Sequence, residues 1–357
     1  GSPNTELPPT TARVTIEELG SGRTRMSIES RFASTEAMEQ VLALGMEEGL
    51  KQAVGQIDAI LATEGGSGTA EPTTHTLEVP GATLTYDVRR NDASTEPVLL
   101  LIGSPMGAAG FGSLSRHFAD RTVVTYDPRG AERSTKTDPA SPSTPDIHAD
   151  DLHRIIQAIG GPVDLFASSG GAVNALALVA RHPEDVRTLV AHEPPLASVL
   201  PDREHAMAAT SAVHETYQRK GWGAAMAHFF SVVGHRGPFT AEIVGQPAPD
   251  PARFGLPTDD DGSRTDVLFG QNIVTGTHYE PDFAALGSAS TRIVLAAGEE
   301  SEGEMASRGG FAVAERLGTK PVMFPSGHGG FLGGEYGQTG DPDAFAARLR
   351  EVLAGEA

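Results

Sequence analysis

From residue 75 onward, short and nearly continuous apolar runs alternate with stretches of helical period. The runs are residues 98–102, 122–126, 163–166, 186–191, 292–297 and 321–324. The helical stretches are 112–119, 147–159, 172–181, 311–317 and 342–353. Strands that lack polar alternation are buried on both faces, and strand–helix alternation predicts a mostly parallel, doubly wound α/β sheet. Two alternating segments, 75–79 and 83–89, predict a two-stranded lead-in. The rhythm breaks between residues 200 and 289, which hold the only tryptophan, Trp222. An insertion of that length after a strand predicts a helical cap over the carboxyl edge of the sheet, where ligands bind in such folds.

The first part of the chain reads differently. Residues 1–10 are polar and proline-rich, as in a flexible tail. Residues 13–31 predict a β-hairpin, with Val14, Ile16 and Leu19 before the turn and Met26, Ile28 and Phe32 after it. Ser34 and Thr35 then cap a long helix. Its apolar stripe runs Met38, Leu42, Met46, Leu50, Val54, Ile57, Leu61. The expected organisation is a tail (1–10), a hairpin–helix appendage (11–63), a Gly/Ser-rich linker (64–73) and an α/β domain (74–357). The exposed helical stripe must cover something, either the main body or a second copy of the chain.

Charge narrows the partners. Among 357 residues, Lys and Arg total 27 and Asp and Glu 47, a net charge of −20. Such a chain lacks the clustered cations that nucleic acid or an anionic membrane surface requires. With no cysteine, disulfides, thiolate metal sites and a cysteine nucleophile are excluded. No apolar run approaches a membrane span. The opening Gly-Ser-Pro reads as a cloning remnant, with the native start expected to be missing, and no signal peptide is visible. A cytoplasmic enzyme acting on a small molecule is the expectation.

Chemistry concentrates at Ala167-Ser168-Ser169-Gly170-Gly171, where a strand gives way to a helix. Small residues two before and two after Ser169 permit a turn tight enough to perch its hydroxyl over the helix N-terminus, a nucleophile elbow. The plainer reading is that Ser168 and Ser169 only cap the helix. A serine needs a base, and His328 follows the last strand between Gly327 and Gly329. Of 12 histidines, it alone has the place that the order Ser…acid…His requires. The acid has two possible origins. Glu193 follows the strand at 186–191, and Glu299, Glu300 and Glu302 follow the strand at 292–297. Glu193 is favoured. An oxyanion would be held by the N–H of Gly170 and by one from the loop 103–107. Ser104 is the better donor there and Met106 the second, because Pro105 has no N–H.

Residues 75–354 resemble the α/β-hydrolase superfamily. The resemblance rests on LLLIGSPMG, VVTYDPRGAERS, FASSGG and SGHGGF in that order, and Ile102 departs from the histidine common before the glycine. It implies a serine hydrolase acting through an acyl-enzyme without cofactor or metal, with Asp127 and Arg129 buttressing the oxyanion loop. Glu193 also resembles the acid arrangement of zearalenone lactonases, which implies an ester or lactone substrate. The segment TEAMEQVLALGMEEGLKQAVGQIDAIL with its hairpin is similar to the C-terminal part of START-like helix-grip domains. Too little of such a domain is present to close a ligand cavity, so the resemblance implies packing or homo-oligomer formation through the helix.

Rival readings are a carbon–carbon bond hydrolase on the same triad, a non-enzymatic small-molecule binder and a nicotinamide-dependent oxidoreductase. The last would use Gly103, Gly107 and Gly110, but their spacing is not G-x-G-x-x-G. A zinc hydrolase is disfavoured because Leu196 and Gln218 stand where H-E-x-x-H needs its second histidine. Trp222, Phe229, Phe230 and Phe239 would either line an apolar pocket or pack the cap.

Overall fold

A computed structural model describes residues 11–20, 23–35, 38–39, 71–141 and 143–356. The chain divides into two compact units, Gly1–Ser67 and Gly68–Ala357. In the first, β1 (Thr11–Gly20) and β2 (Arg23–Arg31) pair antiparallel, with Val14 opposite Ile28 and Ile16 opposite Met26. The expected hairpin is therefore present. Of the expected long helix, only Thr35, Met38 and Glu39 are described, all helical. The remainder of its stripe, the tail at 1–10 and most of the linker lie outside the described residues, as does any oligomer contact through that helix.

The second unit begins with β3 (Thr73–Val79) and β4 (Ala82–Arg89), followed by β5 (Leu99–Ile102), α1 (Gly112–Arg116) and β6 (Val123–Asp127). After β7 (Thr135–Lys136) come α2 (Pro145–Ile159), β8 (Val163–Ser168), α3 (Gly170–Arg181) and β9 (Val186–His192). The cap holds α4 (Arg203–Val233), α5 (Ala241–Val244), α6 (Ile273–Thr277) and α7 (Phe283–Ser288). The chain closes with β10 (Arg292–Gly298), α8 (Met305–Arg316), β11 (Val322–Phe324) and α9 (Pro342–Ala354).

The sheet runs β11-β10-β9-β8-β5-β6-β4-β3, with β7 beside β4. Pairs from β6 through β11 are parallel, and those made by β3, β4 and β7 are antiparallel. Both faces are buried, as the nearly continuous apolar runs require. Leu100 and Ile102 of β5 join one core with α2 and α3, while Leu99 and Leu101 join the other with α1 and α9. Strand order reverses at β5, whose neighbours are β6 on one side and β8 on the other. The crevice at such a reversal, beyond the carboxyl ends of the strands, is where this architecture leaves room for a ligand.

Among the boundaries that differ from the sequence expectation, two helix starts have a local cause. The helix expected at 311–317 starts at Met305. Its first turns include Gly309 and Gly310, poor helix formers that the pattern hides. Gly309 is there because a Cβ on it would lie 3.0 Å from the Leu196 nitrogen, so the helix packs closely against the chain leaving β9. The helix expected from residue 147 begins at Pro145, with the Thr144 hydroxyl accepting from the Ile147 N–H. Among the described residues, no helix is long and apolar enough to cross a membrane.

The cap has its own core. Tyr217, Phe239 and Phe269 are buried there, with Trp222 and Phe229 packed against them. Phe230 is largely exposed. Of the four aromatic residues singled out in the sequence, three therefore pack the cap.

Candidate active site

The bend after β8 is sharp. Ser169 stands at φ 58°, ψ −127°, a region that non-glycine residues seldom occupy. Its N–H donates to the His192 carbonyl at 2.9 Å, which ties the bend to the end of β9. The side chain makes no helix-capping hydrogen bond, so the plain capping reading fails for Ser169. Ser168 is buried instead, its hydroxyl 3.3 Å from His192 Nδ1. The glycines are needed for contact. A Cβ on Gly170 would lie 2.5 Å from the Ser104 carbonyl oxygen, and one on Gly171 2.8 Å from Gly103 Cα. The elbow and the loop after β5 thus touch backbone to backbone.

That loop is held from below. Asp127, at the end of β6, accepts the Ala108 N–H at 2.8 Å through Oδ1 and pairs with Arg133 Nε at 2.6 Å through Oδ2. Asp127 is the buttress that the resemblance implies. Arg129 is not: it makes two hydrogen bonds, 2.7 and 2.6 Å, to Asp151 on α2 and sits in a buried ion pair away from the loop. The N–H groups of Gly170 and Ser104 donate no hydrogen bond among the described residues. Met106 turns its side chain toward the core around Phe111 and Phe331. A Cβ on Gly103 would meet its Cε at 2.9 Å. Side chain fills the loop where a dinucleotide fold would hold pyrophosphate.

Glu193 follows β9 directly and is fully buried at φ 49°. Its N–H donates to the Ala296 carbonyl at 2.9 Å, and its Oε1 accepts the Gly298 N–H at 2.8 Å. Its Oε2 lies 2.5 Å from His328 Nδ1. Burial alone would push this carboxyl up. The hydrogen bond from His328 first, then the electrostatic pull of the His192 and His328 imidazoles and the Gly298 N–H, outweigh it and hold the group down at about 2. His328 rides on the loop after β11. There a Cβ on Gly298 would lie 2.8 Å from the Ser326 carbonyl oxygen, which explains the glycine at that strand end. With Nδ1–H given to Glu193, the lone pair of the imidazole is left on Nε2. The ring is 40% exposed. Ser169 is half-buried, and its hydroxyl has no hydrogen-bond partner among the described residues.

The alternative acids do not reach this histidine. Glu299, Glu300 and Glu302 are exposed, and Glu300 contributes to the loop only through its N–H to the Ser326 carbonyl at 3.0 Å.

Three further residues were not singled out as parts of this site. His192 is enclosed by Phe166, Phe324, Phe331 and Phe345, with its ring centroid 6.0 Å from that of His328. Burial pulls it down to about 4, so it is neutral near pH 7. Asn272, in the cap, donates to the Ser104 hydroxyl at 3.3 Å. It brings cap and oxyanion loop together across 168 residues. His148 on α2 is buried and pulled down to about 3 by that burial. Neither Asn272 nor His148 belongs to a local motif, so no spacing could have found them.

Known proteins bear on this arrangement. A family model described as the alpha/beta hydrolase fold matches residues 96–220. The protein named uncharacterized hydrolase YraK, from Bacillus subtilis (strain 168), is 32% identical over 298 residues, covering 79% of this chain and 96% of the relative. Among solved structures, MGS-M2, an α/β hydrolase from a Medee basin deep-sea metagenome library, has TM-score 0.57 at 15% identity. It covers 79% of this chain and 98% of its own. A thermophilic esterase from Thermogutta terrifontis has TM-score 0.54 at 19% identity, covering 80% and 99%. At those identities the two structures speak to the fold alone. The chain belongs to the α/β-hydrolase family.

Proposed function

We propose that this protein is a serine hydrolase that cleaves a small-molecule ester or lactone through an acyl-enzyme. Ser169 is the nucleophile, His328 its base and Glu193 the acid that orients the base. The observation that carries the reading is the 2.5 Å hydrogen bond from His328 to the buried Glu193, with Ser169 at a strained strand–helix bend tied through its N–H to His192, the residue before Glu193.

In the reaction, His328 Nε2 takes the hydroxyl proton as Ser169 Oγ attacks the carbonyl carbon. The N–H groups of Gly170 and Ser104 receive the oxyanion. His328 returns the proton to the leaving alkoxide, and the carbon–oxygen bond breaks. Water, deprotonated by the same ring, then attacks the acyl-serine, releasing the carboxylic acid and restoring the hydroxyl. Glu193 stays ionised throughout, holding the tautomer and stabilising the imidazolium. The contact between Ser169 Oγ and Nε2 closes when substrate binds; such bonds commonly tighten only in the complex.

A panel of esters and lactones of graded chain length, assayed with wild type and Ser169→Ala, tests the reading. Turnover that falls at least about 10³-fold in Ser169→Ala supports it. Equal turnover by both proteins rejects it.

A further inference from the structure

We propose that His153, His182 and Asp185 form a binding site for one divalent transition-metal ion, with Zn(II) the natural fit. The site lies at the amino end of β9, whereas Glu193 follows its carboxyl end, so about 20 Å of strand separates the two.

The local chain builds the cluster. At the end of α3, residues Pro183–Asp185 form a single 3₁₀ turn, and the Asp185 N–H donates to the His182 carbonyl at 3.1 Å. That turn brings His182 and Asp185 to one side. His153 arrives from α2, its ring stacked on that of His182 with centroids 4.0 Å apart and planes 16° from parallel. Asp185 is buried, and its Oδ2 lies 2.6 Å from His153 Nδ1. One ligand atom from each of the three falls within 4.8 Å of the others.

A histidine–aspartate hydrogen bond alone would explain His153 and Asp185, but not the second imidazole laid against the first. Two imidazoles and one carboxylate are the ligand set of open zinc sites, with water completing the shell. Neighbouring donors around a tetrahedral zinc ion stand about 3.3 Å apart. To take an ion, the 2.6 Å spacing of His153 and Asp185 opens to that value, and the two stacked rings turn so that their in-plane lone pairs converge on one point. The imidazole proton of His153 moves from Nδ1 to Nε2 as the metal takes the Nδ1 lone pair. Asp185 is already oriented as a ligand carboxylate should be, its other oxygen accepting from Gln157 Nε2 at 3.0 Å. Both histidines are partly exposed, 31% and 25%, so an ion can enter from solvent. The Glu184 carboxylate, 3.6 Å from His182 Nδ1, adds negative charge at the rim. The bound ion would fasten α2 to the turn before β9.

The test is calorimetric titration of ZnCl₂ into chelator-treated, tag-free full-length protein, paired with thermal unfolding. Wild type should bind one equivalent and gain about 5 °C in Tm at a hundredfold excess of zinc over Kd. His153→Gln and His182→Gln should lose that equivalent while keeping ester turnover. Gln157→Ala, which leaves every ligand in place, should weaken binding about tenfold. Unchanged stoichiometry and affinity in both histidine variants, or no binding by wild type at 100-fold molar excess of zinc, would overturn the proposal. Should one histidine variant unfold, the Gln157→Ala affinity decides: equality with wild type also overturns it.

Discussion

Glu193 Oε2 and His328 Nδ1 lie 2.5 Å apart although 135 residues separate them in the chain. The contact exists because β9 and β10 are parallel neighbours and the loop after β11 folds back over their carboxyl ends. Glu193 arrives fully buried, with Gly298 holding one oxygen and His328 the other. In the proposed mechanism this carboxylate orients and charge-balances the ring.

Replacing that carboxylate should therefore be costly. Glu193→Gln is expected to lower kcat by about 10²–10⁴-fold, because an amide can donate to Nδ1 and favour the wrong tautomer. Glu300→Gln should stay within about twofold of wild type. Steady-state kinetics on one good substrate checks both, and the reverse ranking would move the acid to the loop after β10.

Gly170 should not tolerate a methyl group. A Cβ there meets the Ser104 carbonyl oxygen at 2.5 Å, which is backbone and cannot swing aside. Gly170→Ala is expected to shift the oxyanion loop and lower kcat by about 10²-fold, with a smaller change in KM. Unchanged kcat would mean that this loop does not receive the developing charge.

Asp127 and Arg129 sit two residues apart and should separate by phenotype. Asp127→Asn loosens the loop at the Ala108 N–H and should reduce kcat. Arg129→Met strands Asp151 in the interior, and should destabilise the fold by about 3–5 kcal/mol while leaving kcat within a few-fold below the new Tm. Urea unfolding and kinetics on the same samples distinguish them.

Acid should destabilise the protein in two stages. His192 and His148 titrate at 6.5 when unfolded, but burial holds them to about 4 and about 3 in the fold. The unfolded chain thus binds more protons as pH drops below 6.5, and stability declines. Glu193 has the ordinary carboxyl value of 4.5 when unfolded and about 2 in the fold. Its contribution is complete above 4.5 and is lost as pH falls through 2. His148→Leu should flatten the decline between pH 6.5 and 3; urea unfolding at several pH values measures it, and superimposable pH profiles would contradict it.

Much of this arrangement is legible in the sequence, for physical reasons that differ by element. The strands are legible because both faces are buried, so β5 reads as an unbroken apolar run and β8 as one broken only by Asp164, which is paired with Arg121 and Arg187. The elbow is legible because a bend that tight accepts only small neighbours at Ala167, Gly170 and Gly171. His328 is legible by its place after the last strand. The start of α8 is hidden because Gly309 serves a close approach to the Pro194–Leu196 backbone, a tertiary demand that overrides helix propensity. The choice between Glu193 and Glu300 stays open in the sequence because both follow neighbouring parallel strands; burial and one hydrogen bond to His328 separate them. Asn272 is invisible to motif reading, since its partner Ser104 lies far away in the chain, and so is His148, which only its burial on α2 sets apart.

The most direct measurement is intact-mass and peptide mapping after treatment with a fluorophosphonate. One adduct per chain, on Ser169, formed rapidly in wild type and lost in His328→Gln, is the expected result. A wild-type protein that hydrolyses esters yet carries no adduct, or carries it on another residue, would show that the hydroxyl at this bend is not the attacking group.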